Sequence, residues 1–191
     1  MTMLVKLYLM TRAFVRHKIL HIDDRSPLEI AISNGMKMGQ DCAVQDGCIF
    51  DPGHCWLIEI GDRVTFAPRV HILAHDASTK RSLGYTVLGK VMIGSDVFIG
   101  AGTIVLPNVE IGDKVVIGAG SVVSRSIPAN SVAVGNPARV IGSYDDYIQK
   151  RKQQMEDASC YDYSYTIGRI TWKKKEEMIC SIKKKGVGFV Q

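Results

Sequence analysis

The sequence predicts a mainly β fold, a solenoid of short parallel strands, and three observations carry this prediction. An aliphatic residue recurs at every sixth position, in the series Ile93, Ile99, Val105, Ile111, Ile117 and Val123. The tetrapeptide IGAG occurs at residues 99–102 and again at 117–120, eighteen positions later. About fifteen residues, DASTKRSLGYTVLGK, interrupt an otherwise continuous pattern.

The six-residue unit explains the architecture. It is too short for a helical repeat, but it suits a short strand followed by a turn that contains glycine. Three units close one triangular coil of about eighteen residues, so residues eighteen apart stack at the strand spacing of about 4.8 Å. The pattern starts earlier, shifts phase and resumes, at Met38, Val44 and Phe50 and then at Ile60, Phe66 and Ile72. We therefore expect the solenoid to occupy residues 36–142.

The interruption predicts an excursion from the coil over about residues 76–90. A loop of this length in a repeat protein is more often functional than structural. It is therefore the first place to look for a site.

Helical segments are expected on both sides of the solenoid. Residues 1–35 form an N-terminal helical segment, in which Ser26, Pro27 and Glu29 make a capping box and Gly35 ends a short helix. Residues 143–191 contain two helical stretches, YDDYIQKRKQQMEDA and TWKKKEEMICSIKKKG, the second capped by Thr171 and ended by Gly186. We expect both to cover the exposed strand edges at one end of the solenoid.

Composition excludes several classes of protein. The 191 residues are 46% hydrophobic and 23% charged, without the long apolar run of a membrane span, so we expect a soluble protein. The net charge of +5 reflects lysine clusters near the C-terminus, which favours a solvated helix face over a nucleic-acid site. Five cysteines without a CxxC pair predict free thiols, with Cys42 and Cys48 buried, and a cytoplasmic location.

The hexads, followed by SVVSRSIPANSVAVGNPARVIG at 121–142, resemble the hexapeptide-repeat acyltransferases, especially the maltose and galactoside O-acetyltransferases. The excursion after HILAHDAS, the paired IGAG turns and the closing AVGNPARVI follow the order of that family. The resemblance implies a left-handed parallel β-helix, a homotrimer, and acetyl-CoA-dependent acyl transfer to a hydroxyl of a saccharide or a similar small acceptor.

The resemblance also implies that His75, at the start of the excursion, is the general base. A hydroxyl is a poor nucleophile at neutral pH, and removing its proton during attack accelerates the reaction by about 10²- to 10⁴-fold. The imidazole titrates in the right range for this task. Asp76 and Glu59 are candidates to orient it.

Other site residues follow from the same resemblance. Ala101 and Ala119 match positions that line the groove for the pantetheine arm of the cofactor, and Ser124 and Arg125 match the turn that meets its nucleotide end. Arg139 matches a basic residue near the phosphates, in agreement with the preference of anions for guanidinium groups.

The acceptor cleft is expected to include His54, Trp56 and Phe98, the last at a position where some relatives carry tryptophan. Acceptor identity, acyl chain length and the choice between O- and N-transfer stay open.

Three alternatives remain. The first is N-acylation of an amino sugar, which the same base would serve. The second is a zinc-dependent hydratase on the same fold, suggested by His54, His71 and His75, although their spacing differs from that of the hydratases, and we assign no metal ligand. The third is a noncatalytic solenoid subunit.

Overall fold

A computed structural model describes residues 25–191 together with Met3, Tyr8 and Thr11. Of the helical segment that the sequence predicts for residues 1–35, the part before residue 25 lies, apart from these three residues, outside the described residues.

Short strands wind around a triangular solenoid with three faces. The first face comprises β1 (Lys37–Met38), β4 (Ile58–Ile60), β9 (Val91–Ile93) and β12 (Glu110–Ile111). The second face comprises β2 (Ala43–Val44), β5 (Thr65–Phe66), β10 (Phe98–Ile99), β13 (Val115–Ile117), β15 (Ser131–Val134) and β16 (Arg139–Ser143). The third face comprises β3 (Ile49–Phe50), β6 (His71–Ile72), β11 (Ile104–Val105) and β14 (Val122–Val123). The chain visits the faces in this order, which makes the fold a parallel β-helix.

The strand register confirms the predicted coil length. On the second face Ile99 pairs with Ile117, and on the third face Val105 pairs with Val123, both in parallel and both eighteen residues apart. The repeated IGAG segments therefore stack one above the other, as the sequence predicts.

The core is the column of aliphatic side chains inside the coil. All six residues of the hexad series from Ile93 to Val123 are buried, with at most 3% of their surface exposed. The small or β-branched residues two positions before them, such as Val97 and Thr103, are buried as well. Each fully buried valine or isoleucine contributes about 1.5–3 kcal/mol of transfer free energy, so the stacked column stabilises the coil.

Glycine has two different roles at the corners. A Cβ on Gly100 would lie 2.5 Å from the backbone nitrogen of Ala119 in the next coil, so the glycine after the hexad residue permits close stacking. Gly102 and Gly120 instead have φ of +67°, the left-handed conformation that glycine adopts without strain.

Two coils are longer than eighteen residues, and both insertions leave at the corner between the third and first faces. The first-to-second coil spacing is 22 residues, because a turn that includes the 3₁₀ helix Cys55–Leu57 follows β3. The second-to-third spacing is 33 residues. Here the chain forms an antiparallel hairpin of β7 (His75–Asp76) and β8 (Val87–Leu88), with the short helix α2 (Lys80–Leu83) between the two strands.

The ends of the solenoid are covered by different elements. Helix α1 (Pro27–Ser33) has the predicted capping box and packs on β3 and on the 3₁₀ helix. At the other end β16 pairs antiparallel with β15, and helix α3 (Tyr144–Asp157) packs on both.

The C-terminal helix corrects one expectation. Helix α4 (Trp172–Lys185) is capped by Thr171 and ended by Gly186, as the sequence predicts. It packs on the parallel pair β17 (Ser159–Tyr161) and β18 (Gly188–Val190). A 3₁₀ helix, Tyr163–Tyr165, follows β17 in the connection to helix α4. The expectation that both helices cover the strand edge was therefore wrong, because β16 already pairs with that edge.

The remaining expectations concern thiols and the membrane. All five cysteines are free, Cys48 is buried and Cys42 is half-buried. Within the part of the chain that the structure describes, no helix is both long enough and apolar enough to cross a bilayer.

The close stacking at Gly100 can be tested. We expect Gly100→Ala to lower the free energy of unfolding by about 2 kcal/mol or more, because the added methyl meets backbone that must shift. Urea denaturation measures the change. Gly142→Ala is the matched control, because a Cβ there has no atom within 4 Å. Equal effects of the two substitutions would contradict the stacking argument.

Candidate active site

The two insertions meet at the corner between the third and first faces. Asp51 and His54 belong to the shorter insertion, and His75 begins the hairpin. Because Phe50 pairs with Ile72 across β3 and β6, the segments that follow these two strands are neighbours. Three polar side chains that are separated in sequence therefore come together.

The centre of this group is the Asp51 carboxylate, which has no exposed surface. Its Oδ1 accepts hydrogen bonds from the backbone N–H groups of Gly53 and His54, both at 3.0 Å. Its Oδ2 accepts one from the Ala74 N–H at 2.7 Å and contacts His75 Nδ1 at 2.6 Å. Four donors therefore satisfy the buried carboxylate.

These hydrogen bonds keep Asp51 ionised. Burial alone raises the pKa of Asp51, but the hydrogen bond from His75 and those from the backbone of Ala74, Gly53 and His54 lower it. Together they outweigh burial, so the pKa lies below its ordinary value. A fixed negative charge therefore stands beside the His75 ring.

Asp51 determines how His75 is presented. An ionised carboxylate only accepts hydrogen bonds, so the 2.6 Å contact requires the proton of His75 to be on Nδ1. In the neutral ring the other nitrogen, Nε2, is then an acceptor, and 31% of the side chain is exposed. This is the arrangement of a general base held by an orienting acid.

The two carboxylates that the sequence suggested for this role do other things. Asp76 is exposed and accepts a hydrogen bond from the Ser78 N–H at 2.8 Å, which lowers the pKa of Asp76. Glu59 lies on the first face between Lys90 and Lys37, and hydrogen bonds to these two lysines lower the pKa of Glu59. The expectation that either residue orients His75 was wrong, because Asp51 occupies that position.

His54 and Trp56 lie beside His75. The His54 ring is 5.1 Å from the His75 ring and 5.3 Å from the Trp56 ring, centroid to centroid. Trp56 is 53% exposed, and the neighbouring Cys55 is anchored beneath helix α1 by a contact from its Sγ to the Ala31 carbonyl. The structure therefore brings together two of the three residues expected in the acceptor cleft.

Phe98 does not join them. It points outward from β10 on the second face and is 44% exposed, in a groove of about 410 Å³ shared with Tyr147 and Ile148 of helix α3. The second face is opposite the corner that holds His75. Within one chain Phe98 therefore lies on a different face from His75, and its place in the acceptor cleft stays a prediction.

The residues assigned to the cofactor form two groups. Ala101 and Ala119 stack at the corner between the second and third faces, where the Gly120 N–H donates to the Ala101 carbonyl at 2.8 Å. Arg139 lies on the second face, where β16 pairs with the end of β15. Ser124 and Arg125 are exposed at the corner between the third and first faces, after β14 and before Ile127, which forms a bridge with the first face.

Three residues of the site are of the types that bind metal ions, but the carboxylate among them is already fully hydrogen-bonded. Donor atoms of Asp51, His54 and His75 lie within 4.8 Å of one another. The carboxylate, however, already accepts four hydrogen bonds, so it has no free lone pair to offer. His71 stands in β6 on the third face, between Ile49 and Ile104. The corner between the third and first faces therefore does not bring His54, His71 and His75 together as the three-histidine metal site of a hydratase.

Comparison with known proteins agrees with this fold. The family model described as bacterial transferase hexapeptide (six repeats) matches residues 90–125. Protein CapG of Staphylococcus aureus is 38% identical over 122 residues, which cover 61% of this chain and 70% of CapG. The chain belongs to the hexapeptide-repeat transferases.

Two solved structures resemble this hexapeptide-repeat transferase. One is a maltose O-acetyltransferase from Clostridium difficile 630, with a TM-score of 0.52 and 45% identity over 57% of this chain and 59% of that one. The other is a hexapeptide-repeat acetyltransferase from Vibrio cholerae O1 biovar eltor, complexed with acetyl coenzyme A, with a TM-score of 0.52 and 26% identity over 58% and 61%. This chain thus spans less than two thirds of the length of either structure.

Sequence reasoning missed Asp51, and one signal could have found it. Asp51 directly follows the hexad residue Phe50, at the point where the six-residue phase shifts. In the structure the shift is an insertion at the same corner as the excursion, which places Asp51 below His75. An acid at a phase shift next to a longer insertion is therefore worth testing as part of a site.

The role of Asp51 in stability depends on pH. We expect Asp51→Asn to lower the free energy of unfolding by about 2 kcal/mol at pH 7, because an amide cannot replace all four buried hydrogen bonds. Since the folded-state pKa is lowered, the ionised carboxylate stabilises the fold above the ordinary carboxyl pKa. This contribution is lost as the pH falls through the lower folded value. The difference between wild type and variant should therefore shrink in acid.

Urea denaturation from pH 7 downward measures this difference. Asp76→Asn is the control, because Asp76 is exposed and its substitution should leave the unfolding midpoint close to that of the wild type. A variant difference at Asp51 that stays constant down to pH 2 would contradict the argument.

Proposed function

We propose that this chain is an acetyl-CoA-dependent O-acetyltransferase that transfers the acetyl group directly to a hydroxyl of a saccharide or a similar small acceptor. The observation that supports it most is the contact between the buried Asp51 carboxylate and His75 Nδ1. Membership of the hexapeptide-repeat transferases adds support, as do the maltose O-acetyltransferase and the acetyl coenzyme A complex among similar structures.

The proposed reaction needs one base and no covalent enzyme intermediate. His75 Nε2 removes the proton of the acceptor hydroxyl while the oxygen attacks the thioester carbonyl. Asp51 stabilises the imidazolium that forms. The tetrahedral intermediate then expels the coenzyme A thiolate, which receives the proton from the imidazolium, and the acetyl ester is released. Asp51 is a positioning residue in this scheme, because it acts through His75.

The proposed acceptor site is the surface beside His75. His54 and Trp56 lie next to the base, and the exposed indole offers an apolar face to the carbon side of a sugar ring. We propose the cofactor site along the column of Ala101 and Ala119, with Arg139 near the phosphates. Ser124 and Arg125 would meet the nucleotide end.

We further propose that the helix is left-handed and that three copies assemble in the cytoplasm. Within one chain, the corner that carries Ala101 and Ala119 differs from the corner that carries His75, and the third face separates them. A homotrimer would let the cofactor corner of one copy face the base of the next. This arrangement completes a site that one chain leaves divided.

The base is tested by substitution. We expect His75→Gln to reduce kcat for acetyl-CoA-dependent thiol release by about 10²- to 10⁴-fold, because the hydroxyl must then attack without proton removal. A thiol reagent follows coenzyme A release with a panel of saccharide acceptors. His71→Gln is the matched control, because His71 lies in β6 on the third face and outside the Asp51 group, and it should retain activity. Equal activity of the His75 variant and the wild type would exclude the role.

The division of the site between chains is tested by mixing. His75→Gln and Ala119→Trp should each be inactive alone, the first without a base and the second with a filled cofactor groove. If each site combines the base of one copy with the cofactor corner of another, co-expression in equal amounts restores about a quarter of wild-type activity, by random association. Absence of any restoration between two folded variants would overturn the shared site.

A further inference from the structure

We propose that His54 is a second acceptor-binding imidazole, and that the acceptor therefore presents a vicinal diol. One hydroxyl donates its proton to His75 Nε2 and the adjacent hydroxyl donates a hydrogen bond to His54 Nε2. This inference deepens the function proposed above and rests on it.

The first argument is that both imidazoles share one carboxylate. His75 Nδ1 lies 2.6 Å from Asp51 Oδ2, and His54 Nδ1 lies 4.0 Å from Asp51 Oδ1. The second distance is too long for a hydrogen bond. It is nevertheless short enough for the negative charge to favour a proton on the Nδ1 of His54 over a lone pair there. The same carboxylate thus selects the same tautomer in both rings.

The second argument comes from the unusual state of His54. Its Nδ1 is buried and, among the described residues, has no hydrogen-bond partner. A lone pair pointing at a carboxylate would be repelled, whereas an N–H there is attracted. The tautomer with Nδ1–H therefore explains why a buried nitrogen faces Asp51. It leaves Nε2 as the hydrogen-bond acceptor of a side chain that is 28% exposed.

The third argument is geometric. The two rings lie 5.1 Å apart with a tilt of 52°, close enough for one small ligand to contact both. His54 cannot easily move away, because its own backbone N–H donates to Asp51 Oδ1 at 3.0 Å. Two neighbouring acceptors call for two neighbouring donors. Adjacent hydroxyls on a sugar ring meet that need, while an isolated alcohol satisfies only one nitrogen.

The neighbouring indole favours a cyclic diol. The Trp56 ring is 5.3 Å from the His54 ring, centroid to centroid, and more than half of Trp56 is exposed. A ring whose hydroxyls reach the imidazoles can rest its apolar carbons on this surface. Trp56 and His54 together thus distinguish a ring diol from a linear alcohol.

The expected preference for a diol follows from the hydrogen bond that His54 Nε2 can accept. An acceptor without the second hydroxyl leaves His54 Nε2 to water, and a site that hydrogen-bonds a hydroxyl discriminates against the analogue that lacks it. Because His54 is partly exposed, we expect a preference of about tenfold in kcat/KM, well below the limit for a fully buried group.

The first experiment compares cis-1,2-cyclohexanediol with cyclohexanol as acceptors, by thiol release from acetyl-CoA. We expect the wild type to prefer the diol about tenfold in kcat/KM. His54→Phe, which keeps a ring but removes both nitrogens, should lower this ratio to about two, the statistical factor for two equivalent hydroxyls. The same preference in both proteins would overturn the role of His54.

The second experiment needs no turnover. Two-dimensional NMR of protein labelled with ¹⁵N in histidine reports the tautomer of each of the five imidazoles, assigned by single His→Gln variants. At pH 9 we expect His54 and His75 both to be Nδ1–H, and Asp51→Asn to release His54 to the other tautomer. An Nε2–H form of His54 in the wild type would overturn the proposal.

The two experiments separate the proposals. If neither alcohol is acetylated, O-transfer fails, and titration of the labelled protein with each alcohol decides the role of His54. Shifts of both His54 and His75 signals with the diol, and of His75 alone with cyclohexanol, support the shared diol site. Identical shifts with the two alcohols, or no shift with either, contradict it.

Discussion

The constraint on which this molecule depends is the register of its stacked coils. Each strand must return above the strand of the coil below, because the parallel ladders and the inward aliphatic columns both require it. Any residues beyond the repeat must then leave the coil at a corner, where no ladder is interrupted. Both insertions of this chain leave at the same corner, between the third and first faces. Their side chains are therefore held against each other by a rigid scaffold.

The second level of organisation is the buried charge of Asp51. Three backbone N–H groups, from Gly53, His54 and Ala74, donate hydrogen bonds to the carboxylate, in addition to the contact with the His75 side chain. Burying an ionised group is costly unless it is hydrogen-bonded, and these bonds come from the two insertions that the corner brings together. The fold thus holds a negative charge close to the Nδ1 atoms of two imidazoles. The orientation of His75 and the tautomer of His54 both follow from that charge.

Stability and chemistry are consequently linked at this corner. The same hydrogen bonds that hold the two insertions together keep Asp51 ionised and point one nitrogen of His75 outward. The proposed cofactor column lies at another corner, where Gly100 permits the close stacking that aligns Ala101 with Ala119. A function that needs both corners of the solenoid therefore favours an assembly of several chains, because one chain keeps them apart.

His75 and Asp51 mark the limit of sequence reasoning about the site. His75 was identified through the family resemblance, because it stands directly before a conspicuous insertion. Asp51 was overlooked in favour of Asp76 and Glu59, which are closer to recognisable features but bond to Ser78 and to two lysines. Phe98 shows the same limit, since its position in a repeat determines its face of the solenoid and not its distance from the base.

By itself, the sequence determined the parallel coil, its eighteen-residue period, the place of the long excursion and the caps of two helices, α1 and α4. These features depend on local periodicity and on short capping motifs, which any reader of the chain can see. Only the tertiary structure decided that Asp51 meets His75, that His54 shares the carboxylate, and that β16 covers the last coil. Those contacts depend on how many residues each coil contains, because a shift of a few residues in one insertion changes which side chains stack.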